Sequence, residues 1–197
     1  MKKIIIAGGT GFLGKILINH FKDKVSQIIV LTRSEVKKKL NVEYIQWDAK
    51  SFSGWESQLE NADVLINLTG QSVDCRYTKK NRELIYNSRI ESTKILNEAV
   101  SLCHQPPKLW LNSSTATIYR NSTDKQMDEY TGEIGNDFSM NIAKAWEKEF
   151  FTFKVQGTRK VALRTSIVLG KHGGAFKPLK SIVKIGFGGK QGMAISL

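Results

Sequence analysis

The chain has 197 residues, 41% hydrophobic and 24% charged, with 16 glycines and three prolines, enough for one large domain with a packed core. This composition excludes a disulfide miniprotein, a collagen-like fibre and a disordered tail, and no apolar run is long enough for a membrane-spanning helix. The net charge of +12, from 30 Lys and Arg against 18 Asp and Glu, suits either a polyanion partner or a lysine-rich solvated surface.

Met1-Lys2-Lys3 followed by Ile4-Ile5-Ile6-Ala7 is basic then apolar, like the start of a secretion signal, but the apolar stretch is short and leads straight into glycines. It reads as a first strand over Lys3–Ala7, apolar on both faces as a covered parallel strand requires. Gly8-Gly9-Thr10-Gly11-Phe12-Leu13-Gly14 then opens a helix over Phe12–Phe21. Glycines at 8, 11 and 14 serve three needs: a positive φ in the turn, close backbone approach to a pyrophosphate, and tight packing of helix on strand. A tight ligand-free turn would use the same glycines. The position at the first strand–helix junction of an alternating chain favours dinucleotide binding, with Thr10, Phe12 and Leu13 completing the loop at the helix N-terminus.

A second strand over Gln27–Thr32 ends in Thr32-Arg33-Ser34, where an NAD site usually places an acid for the ribose 2′-hydroxyl. Arg33 suits a 2′-phosphate instead, with Thr32 or Ser34 adding neutral hydrogen bonds, so NADP is favoured and NAD is the alternative. A third strand over Val42–Trp47 is closed by Asp48, which has two readings: acceptor for the adenine amino group, or helix N-cap. A fourth strand over Val64–Leu68, a long helix over Lys79–Leu102 and a fifth strand over Lys108–Ser113 follow. Ile142, Trp146, Phe150 and Phe153 form an apolar stripe on a helix over Asn141–Phe153, and a sixth strand covers Val161–Leu169. Strand–helix alternation of this kind predicts an α/β fold with a doubly wound parallel sheet.

The glycine turn, Asn67-Leu68-Thr69-Gly70 and Ser113-Ser114-Thr115-Ala116-Thr117-Ile118-Tyr119 together resemble the extended short-chain dehydrogenase/reductase superfamily, of the nucleotide-sugar epimerase type. Ser88-Arg89-Ile90 with Thr93, Asp137-Phe138 with Trp146-Glu147, Arg164-Thr165 and Val168 through Ala175 resemble its atypical epimerase-like subfamily more narrowly. That subfamily has human members and bacterial ones sometimes labelled cell-division inhibitors. The resemblance implies an NAD(P)-binding Rossmann domain over 1–170 and a small-molecule or nucleotide-linked sugar substrate. It adds Leu68, Thr69, Gly70 and Ser113 to the cofactor contacts. Arg89 is a phosphate or substrate contact, or else a salt-bridge partner of Glu83 or Glu91.

In the same superfamily a Ser or Thr polarises the substrate oxygen, and a Tyr in a YxxxK motif moves the proton with help from the Lys. Thr115 falls on the hydroxyl position, with backbone capping as the duller role. No tyrosine here has a lysine four residues on. Anchored on Trp146-Glu147, the tyrosine position falls on Ser139 and the lysine position on Ala143, with Lys144 about 100° off that helix face. Tyr119 and Tyr130 are the other candidates, and His172 is a further pocket candidate. The alternative function is a catalytically silent dinucleotide sensor or docking module. Relatives carry roughly another hundred residues of substrate domain, so 171–197 reads as the start of a shortened one. No acidic residue follows Glu149, although nine basic ones run from Lys154 to Lys190. Cys75 and Cys103 read as reduced thiols, and no zinc spacing, helix-turn-helix or aromatic RNA motif appears, so neither a metal nor nucleic acid is expected. A cytoplasmic protein, as a possible homodimer, is the expectation.

Overall fold

The computed structural model describes residues 2–34, 40–170, 173–187 and 189. His172 and most of the last ten positions lie outside the described residues. The elements run β1 (Lys3–Ala7), α1 (Phe12–Phe21), β2 (Gln27–Thr32), β3 (Val42–Gln46), β4 (Val64–Asn67), α2 (Lys79–Ser101), β5 (Leu109–Thr115), α3 (Phe138–Phe151), β6 (Arg159–Thr165), β7 (Leu169–Gly170), β8 (Gly173–Gly174) and α4 (Phe176–Ile182). A 3-10 turn over Trp55–Leu59 had no periodic signal in the sequence. Strands β1 to β6 form one parallel sheet in the order β3-β2-β1-β4-β5-β6, so the chain reverses direction across the sheet at β1 and β4.

Alternation along the central strands builds two cores, one per sheet face. Ile4, Ile6, Ile28 and Val30 pack beneath Leu17, Ile18 and Phe21 of α1. Ile5, Ala7, Ile29 and Leu31 face the other way, against Ile95, Leu96, Ala99 and Val100 of α2 and Phe150 of α3. Removing both faces of β1 and β2 from water is the main stabilising contribution, on the order of 1.5–3 kcal/mol per large aliphatic side chain.

The bounds of α3 and β6 differ most from those the periodicity predicts. Helix α3 starts at Phe138, not Asn141, because Asp137 Oδ1 accepts the Met140 N–H at 2.9 Å and so serves as its cap. It ends at Phe151, leaving Phe153 outside. Lys160 Nζ explains the stop: it donates to the carbonyls of Phe150 at 2.7 Å and Phe153 at 2.8 Å, replacing the intrahelical partners. Strand β6 begins at Arg159, whose N–H donates to Lys108 O at 2.9 Å, and ends at Thr165. Beyond it Leu169 pairs with Gly174 in a short antiparallel ladder, so the apolar run to Leu169 is not one strand.

Two compact units emerge, interleaved in sequence: Met1–Ser114 with Lys144–Leu163, and Thr115–Ala143 with Arg164–Leu197. The first contains the two cores. The second contains an isolated bridge between Tyr119 and Ile134 and an ion cluster in which Arg120 holds Asp124 at 3.1 Å and Glu133 at 2.5 Å. No described helix is long and apolar enough to cross a membrane.

Candidate functional site

Within the first unit, a cavity of about 430 Å³ opens beside the C-terminal ends of β1 to β4. That volume lies within the range of small-molecule sites, and the place is where an open parallel sheet with helices on both faces leaves a crevice. Gly8, Thr10 and Gly11 line it from the glycine turn, Thr32, Arg33 and Asp48 from the ends of β2 and β3, and Leu68, Thr69 and Gly70 from the end of β4.

The glycines act in three ways. Gly8 has φ +74° and sits so close to the next loop that a Cβ would come within 3.0 Å of the Leu68 carbonyl carbon. Gly11 is the N-cap of α1, with no side-chain cap bond and no acidic residue in the first turn. The first-turn N–H groups, including those of Phe12 and Leu13, therefore have neither a capping oxygen nor a carboxylate and carry the helix's positive end to the cavity wall. Gly14 is buried, and a Cβ there would collide with the backbone of Gly9, so it seats the helix directly on the turn. Phe12, Leu13 and Gly14 are not among the residues that line the cavity.

At the other end, the Trp47 N–H donates to Thr32 O at 3.0 Å, which brings Arg33 and Asp48 out on adjoining strand ends. Arg33 is exposed and lines the cavity. Ser34 does not line it; its N–H donates to Thr32 Oγ1 at 3.2 Å, closing a local turn. Asp48 is not a helix cap, since the nearest helical turn starts at Trp55 behind Gly54. Instead Asp48 caps its own turn, accepting from the N–H groups of Lys50 at 2.8 Å and Ser51 at 2.9 Å and from Ser51 Oγ at 2.6 Å. The Ser51 hydroxyl and these N–H groups hold its carboxyl at about 2. A carboxylate has about four acceptor positions, so little of Asp48 is left for an adenine. Ala49, at φ +64°, makes the turn tight enough for this.

The β4 end is held by a buried polar network. Asn67 Nδ2 donates to Asn112 Oδ1 at 2.7 Å and to Thr93 Oγ1 at 3.3 Å, while Asn67 Oδ1 accepts from the Thr69 N–H at 3.1 Å. Thr69 Oγ1 also meets Ser92 Oγ at 2.6 Å, and Trp146 Nε1 donates to Thr93 Oγ1 at 2.9 Å. Four elements thus fix Leu68, Thr69 and Gly70. Arg89 makes contacts other than the salt bridge that the sequence offered. It makes no salt bridge to Glu83 or Glu91 and does not line the cavity. Its guanidinium lies over the Trp146 ring at 5.2 Å and donates to the carbonyls of Gln71 at 3.1 Å and Ile85 at 2.9 Å. It fills the space a side chain at Gly70 would need, and burial pulls its pKa below the usual arginine value. Arg89 thereby braces the loop after β4.

Ser113 lies half-buried on β5 and is not among the cavity residues; its carbonyl accepts from Asn112 Nδ2 at 2.8 Å. Next to it, Ser114 Oγ donates to Glu147 Oε1 at 2.5 Å.

Thr115 and Ser139 belong to the second unit. Thr115 Oγ1 accepts from the Thr117 N–H at 3.2 Å and pairs with Thr117 Oγ1 at 2.9 Å, capping the short turn over Ala116–Ile118. Its hydroxyl thus satisfies backbone at a strand end. Ser139 is half-buried in the first turn of α3, and Ala143 is fully buried. Tyr119 accepts from Arg164 Nη1 at 2.6 Å, whereas Tyr130 is 88% exposed.

The sequence reading missed the α2 wall: Leu84, Asn87, Ser88, Glu91 and Ser92 line the cavity. Their spacings of three and four put them on one helix face, a signal that a search for apolar stripes passes over because the face is mostly polar. Lys50 and Gln71 also line it and had no local signal.

Comparison with known proteins gives the same architecture. The sequence model of the NAD dependent epimerase/dehydratase family matches residues 4–179. An epimerase family protein of Staphylococcus haemolyticus is 34% identical over 193 residues, covering 98% of this chain and 64% of that protein. The human epimerase family protein SDR39U1 (isoform 2), solved with NADPH, superposes with TM-score 0.80 at 27% identity, over 95% of this chain and 61% of the other. A nucleoside-diphosphate sugar epimerase of Corynebacterium glutamicum superposes with TM-score 0.74 at 27% identity, over 97% of this chain and 39% of the other. The chain therefore spans less than two thirds of the length of these relatives.

Proposed function

The chain belongs to the NAD dependent epimerase/dehydratase family, and from that premise we propose that it binds NADP in preference to NAD, for a redox or epimerisation reaction on a small or nucleotide-linked sugar. One observation carries the cofactor reading. A single cavity extends from the uncapped N-terminus of α1 to Arg33, with no acidic residue at the end of β2. The backbone N–H groups of the α1 start would hold a pyrophosphate, and Arg33 would take the ribose 2′-phosphate. The NADPH-bound human relative supports the same preference. When bound, a nicotinamide ring supplies a hydride acceptor or donor. This chain's own residues bind and orient the adenosine and phosphate end of it.

A second reading, a catalytically silent dinucleotide-binding module, is favoured by one specific arrangement. Ser139 and the buried Ala143 stand at the positions where the superfamily has its tyrosine and lysine, and the Thr115 hydroxyl caps its own turn. A serine hydroxyl has far too high a pKa to act as the acid or base a tyrosine supplies near neutral pH.

Titration with NADPH and NADH, followed by nicotinamide fluorescence, tests the cofactor reading. The expected result is tighter NADPH binding, by about tenfold or more for one charge-assisted phosphate contact. Equal affinities would remove Arg33 as the phosphate reader, and binding of neither would refute the reading altogether. Turnover of NADP with uronic acids or nucleotide sugars separates the enzyme from the silent module.

A further inference from the structure

The loop after β3 and the middle of α2 are tied across the cavity by one ion pair, Lys50 Nζ to Glu91 Oε2 at 3.0 Å. Both residues line the same cavity as Arg33. With Asp48 they bring two cations and two carboxylates to its adenosine end. The carboxylates are not equivalent. Asp48 is locked by three donors of its own turn, whereas Glu91 has its salt bridge to Lys50 and a side chain 41% exposed to water.

We propose that Lys50 is a second reader of the 2′-phosphate beside Arg33, and that Glu91 is its removable counter-ion. The inference rests on the cofactor reading above. The root of Lys50 is fixed, because its N–H is bound by Asp48 and the preceding Ala49 sits in the left-handed region. Its four-carbon stem leaves the ammonium free to choose a partner, and the head is 65% exposed. An exposed pair of this kind is weakly held against water and salt. A phosphate dianion attracts an ammonium more strongly than a carboxylate monoanion does, and it accepts more hydrogen bonds. Binding of NADP moves Lys50 from Glu91 to the phosphate and releases Glu91 into solvent. NAD, lacking the phosphate, leaves the pair closed. Arg33 supplies one contact to the phosphate, and Lys50, drawn away from Glu91, supplies a second that NAD cannot elicit.

Calorimetric titration of the whole chain with NADPH, NADH and adenosine 2′,5′-bisphosphate tests this, using Lys50→Met, Glu91→Gln and Lys94→Met. Lys94 pairs with Glu98 farther along α2, away from the cavity, and controls for loss of one positive charge. Lys50→Met is expected to weaken NADPH and the bisphosphate about tenfold while NADH stays within about twofold. Glu91→Gln is expected to tighten NADPH about threefold, and Lys94→Met to change nothing beyond about twofold. Equal unfolding midpoints confirm that each variant folds. If the unmodified chain prefers NADPH and Lys50→Met leaves that preference intact, or weakens both coenzymes alike, this inference alone is overturned. If the unmodified chain binds neither coenzyme, the cofactor reading falls and takes this one with it.

Discussion

Thr93→Val is the substitution that most directly tests how the β4 end of the cavity is held. Thr93 is fully buried, and its Oγ1 accepts from Trp146 Nε1 at 2.9 Å and Asn67 Nδ2 at 3.3 Å. Valine keeps the shape and removes the acceptor. Asn67 retains Asn112 as a partner, but the buried Trp146 N–H loses its acceptor. An orphaned buried donor costs about 1–3 kcal/mol, and the weaker Asn67 bond adds a fraction of that, so a total of about 2–3 kcal/mol is expected. Thr93→Ser is the control: it keeps the acceptor and loses one methyl, at about 1 kcal/mol. The assay is urea unfolding of both variants beside the unmodified chain, with the slope checked for constancy. Because Asn67 also sets Thr69, NADPH affinity is expected to fall for Val and to stay near its original value for Ser. A serine variant less stable than the valine variant would refute the argument, since methyl packing and not the hydroxyl would then hold the site.

Gly14→Ala places a Cβ against the Gly9 backbone, which has no flexible end to move aside. A loss of about 2 kcal/mol or more in unfolding free energy, with weakened NADPH binding, is expected by calorimetry and titration. Lys160→Met removes three hydrogen bonds, to Asn97 Oδ1 at 2.6 Å and to the Phe150 and Phe153 carbonyls, and is expected to cost about 1–3 kcal/mol near pH 7. Burial pulls the Lys160 amine down to about 8 from an ordinary 10.5. The unfolded chain therefore binds more protons between those values, and the stability gap between the unmodified and Met chains should widen as pH rises from about 8 to 10. A flat gap across that range would show that the three acceptors hold the ammonium form against desolvation. For the thiols, burial pushes Cys103 up to about 11, whereas Cys75 is exposed. Iodoacetamide at pH 8 should label Cys75 first and Cys103 only on unfolding, as mass spectrometry would show.

The fold was legible in the sequence because its signals are local. The bounds of β1, β2 and α1 follow directly from apolar runs and from the glycines between them. The glycine turn was legible for the same reason: a positive φ at Gly8 and a missing Cβ at Gly14 are demands that only one residue type meets. That Arg33 stands just past the end of β2, on the cavity, also followed from the strand pattern. Asp48 and Arg89 were read less well. Each is a charged side chain whose choice among local backbone groups, a neighbouring loop and a ligand depends on distances that spacing does not encode. The sequence alone determined the doubly wound sheet and the glycine turn, through periodicity and the steric limits of glycine. Only the tertiary structure decided that α3 ends under Lys160, that Thr93 joins Trp146 to Asn67, and that Lys50 meets Glu91 across the cavity. The Thr93 and Lys50 pairings join residues 26 to 53 positions apart along the chain, and Lys160 returns from β6 to the carbonyls at the end of α3. Such contacts are set by how the layers pack, and no local pattern of residue types carries that information.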